Sequence, residues 1–150
     1  MRLMDFLVPD AIEPNMKSTT KKDAIRELVT LLKRAEAIAE ENSVAEVVLE
    51  REELGTTGIG EGIAVPHGKS DTVDRLVAAF GRSEKGIDFD SIDNQPVHLL
   101  FLLVAPSDSA GPHLMALARI SRLLKNRDFR EGLMEAEDKL RILEICEAES

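Results

Sequence analysis

The run Leu99-Leu100-Phe101-Leu102-Leu103-Val104-Ala105 carries no polar side chain, and Pro106 closes it. A strand with one face in water alternates polar and apolar residues, whereas a strand covered on both faces is apolar throughout. Val97 to Val104 is therefore expected to be a central strand, and a chain built around one needs apolar cover on two sides. Leu76 to Phe80 reads as a second strand.

Helical periodicity supplies the cover. Between residues 21 and 41, Ile25, Leu28, Val29, Leu32, Ala35 and Ala39 share one face, and Thr20 can cap the first turn with Asp23 three positions on. A second helix is expected from a capping box of Ser43 and Glu46, with Val44, Val47, Val48 and Leu54 as its apolar positions and Gly55 as its stop. Gly111 and Pro112 mark the start of a third, because proline is tolerated where a helix amide has no partner. Leu114, Leu117, Ala118, Ser121 and Leu124 would trace its inner face, and His113 falls in its first turn. Two shorter helical stretches, near 127–136 and 138–148, end the pattern. The expected fold is α/β (α+β), a mixed sheet flanked by helices. A chain of 150 residues suits one domain, residues 1–150, since that length buries about 70% of the surface its unfolded form exposes.

Charge narrows the partners. With 28 acidic and 19 basic side chains the formal charge is −9, a field that repels nucleic-acid phosphates and anionic headgroups. There is no Trp and no Tyr, so the five Phe are better read as core than as a base-stacking platform. The longest apolar run is far short of the roughly 20 residues that span a bilayer, and Asp5 interrupts any signal-like segment at the start. Cys146 cannot form an internal disulfide, and beside Leu140, Ile142, Leu143 and Ile145 it reads as a small buried hydrophobe. The expectation is a cytoplasmic protein in a reducing compartment, with no nucleic-acid partner and no direct membrane insertion.

Between the second helix and Leu76 lies Thr56-Thr57-Gly58-Ile59-Gly60-Glu61-Gly62-Ile63-Ala64-Val65-Pro66-His67-Gly68-Lys69, a glycine-rich loop leading into a short apolar strand that Pro66 breaks. It does not fit a nucleotide. The phosphate-loop pattern needs four residues between its first Gly and Gly-Lys-Ser, and five separate Gly62 from Gly68-Lys69-Ser70. The dinucleotide pattern wants a third Gly where Ile63 stands. Nor do His67, His98 and His113 show the short ligand spacings common at zinc sites.

What remains is His67 at a glycine-flanked turn, where Gly68 would leave the ring accessible and its own N–H free to meet an anion. A neutral imidazole, with a reference pKa near 6.5, keeps a lone pair for attack at phosphorus while its other nitrogen is held by an acceptor. Positive company would come from Arg51 on the second helix and from His113 at the dipole-favoured start of the third. Each residue alone has a plain structural reading: His67 as a turn residue, His113 as a cap, Arg51 as a solvated charge. The functional case rests on the three together.

Taken as one stretch, Arg51 to Lys69 closely resembles the phosphorylation-site signature of fructose/mannitol-type IIA proteins of the bacterial phosphotransferase system. The likeness continues through Phe89-Asp90-Ser91-Ile92-Asp93-Asn94-Gln95-Pro96-Val97, the strand end Val104-Ala105-Pro106, and His113-Leu114, covering nearly the whole chain. Asp93-Asn94-Gln95-Pro96-Val97 and the Thr-Gly-Ile-Gly-x-Gly-Ile-Ala pattern are most similar to the nitrogen-regulatory branch, a free-standing IIA protein with no permease attached. The resemblance implies a roughly five-stranded mixed sheet with helices on both faces, and a phosphotransferase working through a phosphohistidine. His67 would be phosphorylated on Nε2 by the carrier HPr or its nitrogen-branch counterpart, which enzyme I charges from phosphoenolpyruvate. His113 would match the second active-site histidine that supports the phosphoryl group, and Arg51 the arginine that neutralises it. The onward partner would be a IIB domain or a regulatory target protein. Since the donor presents an activated N–P bond, neither a cofactor nor a metal is expected. His98 reads as structural.

Overall fold

The computed structural model describes residues 1–149. After a 3-10 turn at Leu3–Asp5 the chain forms β1 (Leu7–Glu13), α1 (Lys21–Arg34), α2 (Glu41–Glu53), β2 (Gly58–Gly60), β3 (Ile63–Ala64), β4 (His67–Ser70), β5 (Val77–Ile87), β6 (Val97–Pro106), α3 (Ala110–Lys125), α4 (Arg127–Glu135) and α5 (Lys139–Ala148). No helix among the described residues is long and apolar enough to cross a membrane.

The strands make one mixed sheet in the order β1-β5-β6-β3-β2, with β4 also on β6. β1 runs parallel to β5, β5 antiparallel to β6, and β3 and β4 parallel to β6. Ile63 lies opposite Leu99 and His67 opposite Leu103, so β3 and β4 keep one register. They are a single strand line interrupted at Val65-Pro66, which is why six strands occupy five positions across the sheet. Pro66 has no N–H to give, but its carbonyl still accepts from Leu103 N at 3.0 Å.

β6 is buried on both faces, as its composition demands. Leu100, Leu102 and Val104 pack with α1 and α2 through Ile25, Leu28, Val29, Leu32, Val44 and Val48. Phe101 and Leu103 pack on the other side with Ile120, Leu124, Phe129, Leu133 and Cys146 from α3, α4 and α5. All five Phe are buried, and Phe80 meets Phe101 with ring centroids 4.9 Å apart. Cys146 is fully buried, which pushes its thiol up to about 12 and leaves it unreactive at neutral pH.

Several boundaries differ from the sequence reading. α1 stops at Arg34 rather than reaching residue 41, because Glu36 takes φ 60° and the amides of Glu36 and Ala37 return to Lys33 O and Leu32 O. This is a Schellman termination without glycine. α2 begins at Glu41 with Glu40 as N-cap, so the Ser43–Glu46 capping box does not form. α3 begins one residue before Gly111, and its buried face is His113, Ala116, Ile120, Leu123 and Leu124, while Leu114 is exposed. The Thr20 cap does form, accepting from Asp23 N at 3.3 Å. β1 and β2 had no clear signal in the sequence.

Candidate active site

Two halves of the glycine segment prepare His67. Gly58–Gly60 and Ile63–Ala64 form a hairpin whose two turn residues, Glu61 and Gly62, both have positive φ (58° and 74°). That is the combination a two-residue hairpin turn requires, and glycine meets it without strain. The chain then resumes along β6 and, after the Val65-Pro66 break, sets His67 on the same sheet face as Leu103.

His67 is half-buried, with Nδ1 at 2.9 Å from the Val65 carbonyl. A carbonyl can only accept, so Nδ1 carries the proton and Nε2 is left with its lone pair. The ring's pKa is lowered from 6.5, chiefly by burial; the Val65 hydrogen bond pulls back upward, the Arg51 charge adds to the lowering, and Glu52 gives the smallest, upward, pull. The tautomer and the lowered pKa together make Nε2 the unprotonated nitrogen at neutral pH.

His113 approaches across the same face. Because the buried stripe of α3 runs through it, its ring packs toward β4, with centroids of the two imidazoles 5.4 Å apart and their planes at 70°. Burial, then the neighbouring His67 and Lys69, push His113 down to about 4, so it too is neutral at pH 7. Its Nδ1 is buried without a hydrogen-bond partner.

Arg51, in the last turn of α2, donates from Nη1 to the Gly55 carbonyl at 3.0 Å and stands close enough to disfavour charge on His67. The structure therefore sets the His67 and His113 rings against each other from β4 and α3, with the Arg51 charge at the end of α2 felt at His67. His98 sits elsewhere on β6, its Nδ1 donating to Ser83 O at 2.8 Å.

Gly68 plays a different part from the expected one. A Cβ there would come within 3.0 Å of Val47 Cγ1 and 3.2 Å of Val48 Cγ2. Its smallness lets α2 lie directly on β4, and the β4–β6 ladder takes up its N–H. Sequence reading also missed Glu52. It was given no part there, yet it is only 6% exposed, and its charge acts on His67. The available signal was its spacing, since Glu52 follows Val44 and Val48 at four-residue intervals on the buried side of α2.

The chain matches the family model described as "Phosphoenolpyruvate-dependent sugar phosphotransferase system, EIIA 2" over residues 5–149. A nitrogen regulatory protein of Bradyrhizobium diazoefficiens is 43% identical over 146 residues, 97% of this chain and 94% of that protein. The fructose-specific EIIABC component of Bacillus subtilis is 40% identical over 145 residues, 97% of this chain and 23% of that protein. Among solved structures, the nitrogen regulatory protein IIA-Ntr of Neisseria meningitidis gives a TM-score of 0.87 at 32% identity, covering 95% of this chain and 97% of that one.

Proposed function

The chain belongs to the EIIA 2 family of the phosphoenolpyruvate-dependent sugar phosphotransferase system, and from that premise we propose that it carries the phosphoryl group on Nε2 of His67. The observation that carries this reading is the Nδ1–H···O=C bond to Val65, which leaves Nε2 as the nucleophile. The Nε2 lone pair forms the new N–P bond while the donor's N–P bond breaks and its electrons return to the donor imidazole. The Nδ1 proton stays on the ring, against Val65 O. Little covalent work is asked of the protein in such a loose transfer, so the burden falls on alignment and charge. In this reading Arg51, whose charge acts on His67, neutralises the phosphoryl oxygens, and the neutral His113 ring lies alongside as a hydrogen-bonding group.

The donor in this reading is HPr or its nitrogen-branch counterpart, charged by enzyme I. The regulatory role is favoured by likeness to a nitrogen regulatory protein along nearly the full length of both chains. A dianionic phosphoryl group at this half-buried site then changes which target protein the surrounding surface accepts. The alternative, relay to a IIB domain in sugar uptake, draws on the likeness to the fructose-specific component.

Incubation with phosphoenolpyruvate, enzyme I and a histidine carrier should give an acid-labile phosphoryl adduct by mass spectrometry, lost in His67→Ala. Adduct persisting in that variant would remove His67 from the role. Rapid discharge to a IIB domain supports transport, and a stable phospho-form with state-dependent partners supports regulation.

A further inference from the structure

Arg51 and Glu52 are consecutive and opposite in charge, and they are set to different tasks. Glu52 is buried at the C-terminal end of α2, where both desolvation and the negative end of the helix dipole oppose a carboxylate. It is held there by donors from two other segments. Lys21 Nζ, at the start of α1, lies 3.1 Å away, and Thr57 gives its backbone N–H at 3.1 Å together with its hydroxyl. Lys21 also reaches Asp90 at 3.6 Å and stands 5.1 Å from the Phe89 ring centroid. Thr56, next in line, donates its hydroxyl to Phe89 O at 3.0 Å.

One carboxylate thus ties α1, the end of α2 and the loop before β2, while its partner Lys21 and the neighbouring Thr56 reach on to the loop before β6. Stability alone is a weak reason to keep such a group, since apolar packing often replaces a buried ion pair without loss. The same loop supplies Gly55 O, on which the Arg51 guanidinium is braced.

We propose that Glu52 is a positioning residue for phosphoryl transfer: gripped by Lys21 and Thr57, its carboxylate fixes the last turn of α2 and the 54–57 loop, and so sets where Arg51 stands relative to His67. The proposal rests on His67 being the acceptor. The charge of Glu52 also opposes that of Arg51 at the imidazole, one favouring the protonated ring and the other disfavouring it.

The test compares wild type, Glu52→Gln and Thr57→Val. Glu52→Gln keeps the side chain's length but removes the charge that Lys21 pairs with. Thr57→Val keeps the backbone donor and removes the hydroxyl. Labelling at saturating donor should slow roughly tenfold or more in both, as misplacement of a transition-state group does, with a smaller change in the donor's KM. In Glu52→Gln the His67 titration, followed by NMR, should move to lower pH, a change that mere loosening of the fold does not produce. A wild-type rate in a folded Glu52→Gln overturns the proposal, whether or not the His67 titration moves. Should that variant not fold, a wild-type rate in Thr57→Val does so. If wild type takes no label, the acceptor reading fails, while the NMR titration, which needs no donor, still decides whether Glu52 acts on the imidazole.

Discussion

At the scale of single residues, two neutral imidazoles in contact carry a consequence for pH. The unfolded chain protonates His113 near 6.5, whereas the folded protein holds it down to about 4. Between those values the unfolded state binds more protons, so stability rises with pH. The folded state is unpenalised above 6.5, loses ground as pH falls toward 4, and loses no more from this group below that. His67 is lowered too and adds in the same direction. His113→Gln should therefore show a smaller drop in urea midpoint between pH 7.5 and 4.5 than wild type. An equal drop in both proteins would mean that His113 is not held neutral. This contact was legible only in part. The sequence offered His67, His113 and Arg51 as candidates, but it placed the inner face of α3 on Leu114 and Leu117 rather than on His113, and so did not show the ring as buried.

At the scale of elements, the site depends on α2 lying close to β4. Glycine at 68 permits the approach, and an added methyl would press on Val47 and Val48, with Val48 N itself 3.4 Å away. Valine tips have little freedom to move and the backbone less, so α2 must shift outward. Gly68→Ala should cost about 1–3 kcal/mol in urea unfolding, the usual range for overpacking, and should slow phosphoryl transfer because Arg51 moves with the helix. Unchanged stability would show that the helix yields freely. The sequence signalled the glycine but not its reason, since close approach between residues 47 and 68 is a tertiary fact. For the same reason α1 ran too long in the sequence reading: a left-handed Glu36 ends it, and no glycine announces the turn. The legible elements are those with an apolar pattern of their own: all five helices, with α4 and α5 within a residue of the expected 127–136 and 138–148, and the strands β5 and β6.

At the scale of the whole molecule, two cores share one sheet, and at the end away from His67 a buried side chain ties the layer of α3, α4 and α5 to the sheet's edge. That side chain is Arg82. It lies opposite Leu99 on β6, about 13 Å along the strand from the position facing His67, at 3.3 Å per residue. Its Nε donates to Pro14 O at 3.0 Å, and its Nη1 to Leu133 O at 2.8 Å, Met134 O at 3.2 Å and Ala136 O at 2.6 Å. The guanidinium thereby caps the C-terminal end of α4, where free carbonyls favour a cation, and binds it to the segment after β1. Nothing in Gly81-Arg82-Ser83-Glu84-Lys85 announced a buried arginine, because its partners are carbonyls 51 to 68 residues away. Arg82→Met keeps the stem and removes the donors, leaving these carbonyls unpaired in a site that admits little water. The expected cost is about 2–4 kcal/mol in urea unfolding, with the phosphorylation rate of the folded protein unchanged. A slowed rate at full occupancy of the native state would instead mean that the two ends of β6 are coupled, and that α4 takes part in setting the active site.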